Sequence, residues 1–304
     1  MSKVDQAIER VRAVYGSWRR DTPLAAMRAD WDRLFAPLAP PDAALEPVRI
    51  GDLDAAWLRA HGTNEDGRGG ANAILYLHGG GFRLGSPRSH HRLMADLSRA
   101  TGAPVLGLDY RLAPEHPFPA ALDDTLVAWR WLRAQGYAAS DLALAGDSAG
   151  GCLALGAILR LRDGGEDLPA AAYLLSAWTD LTASGESFDS RADADPIHDR
   201  RMIRAIAQGM LAGADPSDPA VSPLFADLSG LPPLLFQVGD RETVLSDSVD
   251  FAQRARAAGV SAEAQVWPGM IHVFQQFPDL LPEAGEAIGQ GGRFLQKHFG
   301  ETAA

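Results

Sequence analysis

Apolar positions recur along the chain with two different periods. Near the start the spacing is helical. Val4, Ile8, Val11 and Val14 or Tyr15 share one face, and after Pro23 so do Leu24, Met27, Trp31, Leu34 and Phe35. The stretch "APLAPPDAALEP" ends this pattern, and from residue 46 short apolar runs alternate with helical segments. "PVRI", "AAWLRA", "ANAILYL", "APVLGLDY", "DLALAG", "AAAYLLS", "PPLLFQVG" and "AEAQVW" read as strands. Residues 89–100, 120–134, 148–162, 247–258 and 283–298 read as helices, and "GTNEDGRGG" reads as a turn or mobile loop. Apolar strands alternating with helices predict an α/β fold, with a largely parallel sheet covered on both faces. Sites in such sheets form at the C-terminal ends of the strands. Residues 181–225 interrupt the alternation, and Ile197, Met202, Ile206, Met210 and Leu211 predict one or two helices outside the sheet there.

The chain has 304 residues, 46% of them hydrophobic, which suffices for a large core in one α/β domain. A formal net charge of -11 argues against nucleic acid and anionic membrane surfaces as main partners. One cysteine, Cys152, permits no intrachain disulfide and makes a Cys-based zinc site unexpected. The opening "MSKVDQAIERVRAVYGSWRR" is charged throughout, without the apolar stretch of a signal peptide, and no apolar run approaches the length of a membrane span. The expectation is a soluble cytoplasmic protein.

The chemistry concentrates in "LALAGDSAGGCLALGAIL". A predicted strand runs into Gly146-Asp-Ser-Ala-Gly150, a G-x-S-x-G pattern, and a predicted helix follows at once. Such a turn lifts the serine hydroxyl to the top of the sheet, facing the positive end of the helix. The bland reading is a serine N-cap in a glycine-rich turn; the flanking strand and apolar helix favour Ser148 as a nucleophile. A serine needs a base, normally histidine held by a carboxylate, and the expected chain order is Ser, acid, His. His272 in "VWPGMIHVFQQF" lies just past the last predicted strand, where the base belongs. His90 and His91 read as exposed or capping residues, His61 and His198 as turn residues. Asp240, Glu242 and Asp247 follow "PPLLFQVG" as candidate acids, with Asp247 placed to cap a helix. The three glycines of "YLHGGGFRLGS" fit neither a phosphate-loop spacing nor a linker. Attack on an acyl carbon puts charge on the carbonyl oxygen, and preorganised N–H groups must receive it. Gly80 and Gly81, with Ala149 after the nucleophile, are the expected donors, and Phe82 is an expected wall of the substrate site.

Several longer motifs now coincide: "HGGGF" at 78–82, "DYRLAPEHPFPAALDD" at 109–124, "GDSAGG" at 146–151, "SAWTDLTASGES" at 176–187 and "GMIHVF" at 269–274. Together, over about residues 70–275, they resemble the bacterial hormone-sensitive-lipase-like (family IV) carboxylesterases, which have the α/β-hydrolase fold. The resemblance implies a helical cap made of residues 1–45 and an insertion at about 181–225, with residues 46–304 as catalytic domain. "FQVGDRETVLSDS" is similar to a subgroup with Val-Gly-x-x-Glu where other members carry Asp-Pro-Leu, which puts the acid on Glu242 and leaves Asp240 as second choice. Asp109, Tyr110, Arg111 and Glu115 then hold loops near the glycines, Asp180 orders a turn, and Asp147 bonds within the elbow. The implied activity is hydrolysis of short- to medium-chain acyl esters through an acyl-enzyme, with no cofactor or metal; family members are often dimers. A lactone or amide hydrolase on the same triad is the alternative. A non-catalytic binding protein of this fold would lack the base, and His272 counts against it.

Overall fold

The computed structural model describes residues 1–38, 40, 42–60 and 72–300; the predicted turn "GTNEDGRGG" at 62–70 and His61 lie outside them. All eight predicted runs contain strands: β1 (Leu45–Ile50), β2 (Leu53–Leu58), β3 (Ala73–Leu77), β4 (Val105–Asp109), β5 (Leu142–Asp147), β6 (Ala171–Leu175), β7 (Leu234–Gly239) and β8 (Ala262–Trp267). They form one sheet in the order β1-β2-β4-β3-β5-β6-β7-β8. β2 is antiparallel to both β1 and β4, and every other neighbouring pair is parallel.

The helices are α1 (Lys3–Ser17), α2 (Leu24–Phe35), α3 (His91–Thr101), α4 (Ala120–Ala134), α5 (Ala149–Asp163), α6 (Ser187–Ser190), α7 (Arg200–Leu211), α8 (Leu245–Ala257) and α9 (Pro282–His298). α8 begins before Asp247, so this residue does not cap it as expected. Its buried carboxylate instead accepts the backbone N–H groups of Thr179 and Asp180, at 2.7 and 2.8 Å. The loop after β6 thereby gains an acceptor for two N–H groups, while Asp247 Oδ1 is buried without a hydrogen-bond partner and burial, with Asp180 nearby, pushes the pKa of this carboxyl well above the ordinary value.

Side-chain alternation along the strands divides the core. Leu75, Leu77, Leu106, Leu144 and Phe236 pack with α4, α5 and α8 through Trp129, Ile158 and Phe251. Ile74, Tyr76, Val105, Tyr173 and Leu235 pack on the other face with α3 and α9 through Leu93, Leu97, Ile288 and Leu295. Burial on both faces is why these runs read as continuously apolar. A third cluster joins the N-terminal helices to the segment after β8: Ile8, Val11 and Phe35 meet Ile271, Phe274, Phe277 and Leu281. Each such side chain contributes roughly 1.5–3 kcal/mol when fully buried, so α1 and α2 are firmly docked. Among the described residues, no helix is long and apolar enough to cross a membrane.

α9 lies very close to the sheet. A Cβ at Gly291 would stand 2.4 Å from the Tyr173 ring, and one at Gly292 would stand 2.6 Å from Ala100 of α3. Tyr173 is locked by its hydroxyl, which donates to Gln237 at 2.5 Å, so the ring has little room to yield. Gly291→Ala is therefore expected to cost about 1–3 kcal/mol of stability despite the better helix propensity of alanine, measured as a lowered urea midpoint.

Candidate active site

β5 ends at Asp147 and α5 begins at Ala149, so Ser148 alone makes the turn between them. Its φ of 51° and ψ of -117° lie where side-chain-bearing residues are seldom found. Three backbone bonds impose this geometry. The Ser148 N–H donates to Leu175 at 2.9 Å, and its carbonyl accepts from Cys152 at 3.2 Å and Trp178 at 3.1 Å. The elbow also presses on β3: a Cβ at Gly150 would sit 1.9 Å from the Leu77 carbonyl oxygen. Only glycine permits that approach.

The glycine loop follows β3. Gly80 and Gly81 have φ values of 116° and 62°, which other residues avoid. The Gly80 carbonyl accepts from Arg83 and Leu84 at 3.1 and 3.0 Å, closing a turn. Among the described residues, the Gly80 and Gly81 N–H groups donate to no backbone carbonyl. Ala149, the first residue of α5, has no intrahelical acceptor for its own N–H. Three donors are thus unspent around the elbow.

Asp147 fastens this loop to the elbow. Its Oδ1 accepts the Gly79 N–H at 2.9 Å and the Tyr76 hydroxyl at 2.7 Å, and His90 Nε2 lies 3.2 Å away. Burial alone would raise its pKa, but His90 and the hydrogen bonds outweigh burial and hold it below the usual carboxylate range. His90, expected to be exposed or capping, is 1% exposed and spent on this contact. His78 stacks on Tyr110 with ring centres 4.2 Å apart, and its Nδ1 meets the Gly79 carbonyl at 2.8 Å. Burial pushes its pKa down to about 3, so it stays neutral and supports the loop. From outside, Arg28 of α2 donates to the Arg83 carbonyl at 2.8 Å and pairs with Glu115, while Asp32 accepts from Ser86 at 2.6 Å. Asp180, as expected, orders its turn by accepting the Thr182 and Ser184 N–H groups.

Glu242 follows β7 and is fully buried. Its Oε2 lies 2.7 Å from His272 Nδ1. Its Oε1 accepts the Ser176 hydroxyl at 2.8 Å and the Gly239 N–H at 2.5 Å. The same Ser176 hydroxyl accepts the Val273 N–H at 3.0 Å, so one side chain braces both the carboxylate and the segment bearing His272. Asp240, the second-choice acid, instead accepts the Gly269 N–H at 2.7 Å. Burial works against a charged His272 ring, but the charge and hydrogen bond of Glu242, aided by Asp195 and Asp147, prevail and raise its pKa.

Ser148, His272, Gly80 and Gly81 line one cavity of about 360 Å³. Ala149 is buried behind it. Tyr15 and Trp31 from the N-terminal helices and Met202 and Ile206 from α7 form apolar wall. Phe82 does not. Its ring packs 5.8 Å from that of Trp178 and borders a separate small cavity, while Trp178 lines the main one. The positive φ of 60° at Phe82, with its carbonyl accepting from Ala113, turns the side chain inward. His198, expected to be a turn residue, instead meets the His272 ring edge-on in the same cavity. Nothing in the spacing around residue 198 signals that contact. Among the described residues, no group of three or more His, Cys, Asp or Glu could hold a metal ion.

A family model described as the alpha/beta hydrolase fold matches residues 74–276. An acetyl-hydrolase of Streptomyces hygroscopicus is 44% identical over 254 residues, 84% of this chain and 83% of that protein. An esterase of Acinetobacter venetianus is 36% identical over 84% of this chain and 82% of its own length. A crystal structure of an esterase from the bacterial hormone-sensitive lipase family superimposes with a TM-score of 0.92 at 43% identity, covering 98% of both chains. A crystal structure of EstE5 soaked with p-nitrophenyl butyrate gives 0.89 at 40% identity, covering 98% of this chain and 99% of that one.

The Glu242–His272 pairing has a direct readout. Followed by NMR, the His272 ring is expected to titrate above its ordinary 6.5. Glu242→Gln is expected to lower it, because burial is then opposed only by the charges of Asp195 and Asp147, whereas Asp240→Asn is expected to leave it in place.

Proposed function

Because this chain belongs to the bacterial hormone-sensitive-lipase-like family of α/β-hydrolases, we propose that it is a serine carboxylester hydrolase whose triad is Ser148, Glu242 and His272. The observation that carries the assignment is the 2.7 Å contact between Glu242 and His272, with His272 opening on the same cavity as the elbow serine. Ser148 Oγ attacks the ester carbonyl carbon as His272 Nε2 takes its proton. Glu242 holds Nδ1–H, which fixes the tautomer and stabilises the imidazolium. The Gly80, Gly81 and Ala149 N–H groups receive the oxyanion. His272 then protonates the leaving alkoxide as the C–O bond breaks, which leaves an acyl-enzyme. A water deprotonated by His272 attacks the acyl carbon, and the serine leaves with the returned proton.

Residues 1–45 and about 181–225 act as a cap, since Tyr15, Trp31, Met202 and Ile206 close the cavity over the elbow. A cavity of about 360 Å³ with this apolar wall suits short- to medium-chain acyl esters. The proposal includes a cytoplasmic homodimer. The lone buried Cys152 is compatible with a reducing compartment, and the dimer rests on the family resemblance.

Ser148→Ala is expected to lower p-nitrophenyl butyrate hydrolysis by at least about 10³-fold with an unchanged circular-dichroism melt; retained turnover would refute the mechanism. The neutral His272 ring is the active form and its pKa is raised, so kcat/KM is expected to fall as pH drops through a value above 6.5. Glu242→Gln is expected to reduce kcat by about 10²-fold or more and Asp240→Asn by far less, as measured by steady-state kinetics.

A further inference from the structure

His198 belongs to the segment between α6 and α7, outside the sheet, yet its ring lies against His272. The ring centres are 4.6 Å apart and the planes meet at 81°. The placement is built. Asp195 Oδ1 accepts the backbone N–H groups of Ile197 and His198, both at 2.9 Å, which fixes the turn that carries the ring. Asp195 Oδ2 accepts the N–H and hydroxyl of Thr243, at 2.8 and 3.0 Å. Thr243 is the neighbour of Glu242, so one carboxylate registers His198 against the Glu242–His272 pair. The His198 side chain is 11% exposed. Its Nδ1 is buried with no hydrogen-bond partner, standing 4.0 Å from Asp195 Oδ2, so no hydrogen bond at Nδ1 holds the ring.

We propose that His198 is a positioning residue for His272: docked edge-on from the inserted segment, it confines the imidazole and excludes water from it, and so couples the seating of that segment to the basicity of the catalytic ring. The proposal rests on the assignment of His272 as the base.

The charged groups around the pair are consistent with this role. Burial pushes His198 down to about 4, and the neighbouring His272 charge adds to that, while Asp195 and Asp199 oppose it. His198 is thus neutral wherever the enzyme would work, and it shields His272 without repelling the imidazolium. Around His272 stand Glu242, Asp195 and Asp147, all favouring the proton, against the burial to which His198 contributes. Removing the ring therefore admits water, relieves that burial and leaves the carboxylates, so the pKa of His272 must rise. The ring also gains freedom to leave the orientation in which it serves Ser148.

The test compares His198→Ala and His198→Phe, using p-nitrophenyl butyrate kinetics over pH and NMR titration of His272 in each folded variant. His198→Ala is expected to move the acid limb of kcat/KM and the His272 titration together to higher pH, and to lower kcat at the plateau by about tenfold with little change in KM. His198→Phe, which keeps the ring and removes the nitrogens, is expected to restore both. A raised KM with an unmoved limb would make His198 a substrate contact only and overturn the proposal. So would a lowered melting temperature with unmoved kcat and limb. Should His198→Ala fail to fold, an acid limb displaced in His198→Phe would equally overturn it, and an unmoved limb would support it. Failure of the underlying assignment looks different: His272→Ala would then retain turnover.

Discussion

A single serine held at a strained positive φ organises this molecule. Such a residue costs on the order of 1–3 kcal/mol and persists only where its surroundings over-determine it. Here the surroundings are β6 and the loop beyond it, which bond the Ser148 N–H and carbonyl, and β3, which is so close that residue 150 has no room for a side chain. The elbow is therefore a property of three strands, and α5 leaves it with its first N–H groups open toward the cavity. The glycine loop, Glu242 and His272 are all placed relative to that point.

Buried carboxylates do the placing. Asp147 ties the elbow to the glycine loop and α3, Asp247 ties α8 to the loop after β6, and Asp195 ties the insertion to the residue beside Glu242. Each accepts two or more hydrogen bonds from a distant part of the chain, which offsets part of the cost of burial and specifies one arrangement of loops. Glu242 follows the same rule through Ser176 and Gly239, and the acceptor capacity left over meets His272. Loops at the C-terminal ends of parallel strands have few backbone partners of their own, so side-chain anchors supply the rigidity that a reactive site requires.

The walls of the cavity come from elements outside the sheet. α1 and α2 reach it through Tyr15 and Trp31, are docked by the apolar cluster around Phe35 and Phe277, and touch the glycine loop through Arg28 and Asp32. The same helices thus shape the pocket and brace the loop whose N–H groups are proposed to receive the oxyanion. Pocket shape and loop placement are consequently linked through one docked body.

Much of this was legible in the chain itself. Alternating apolar runs located eight strands and the covering helices, because burial on both faces leaves a periodicity that needs no knowledge of neighbours. The glycines, Ser148 and His272 were legible because each sits in a short motif whose backbone demands are local. Three carboxylates lie within eight positions after β7, and it was the family resemblance, not the local pattern, that singled out Glu242; in the structure the registration of β7 beside β8 brings Glu242 to His272 and turns Asp240 to the Gly269 N–H. The inward turn of Phe82, the burial of His90 on Asp147 and the contact of His198 with His272 carry no local signature. Sequence determined which elements form and which motifs end them, since those depend on residues a few positions apart. Tertiary structure alone decided which charged and aromatic side chains meet, since those contacts join residues tens of positions apart and depend on how the packed strands and helices bring their ends together.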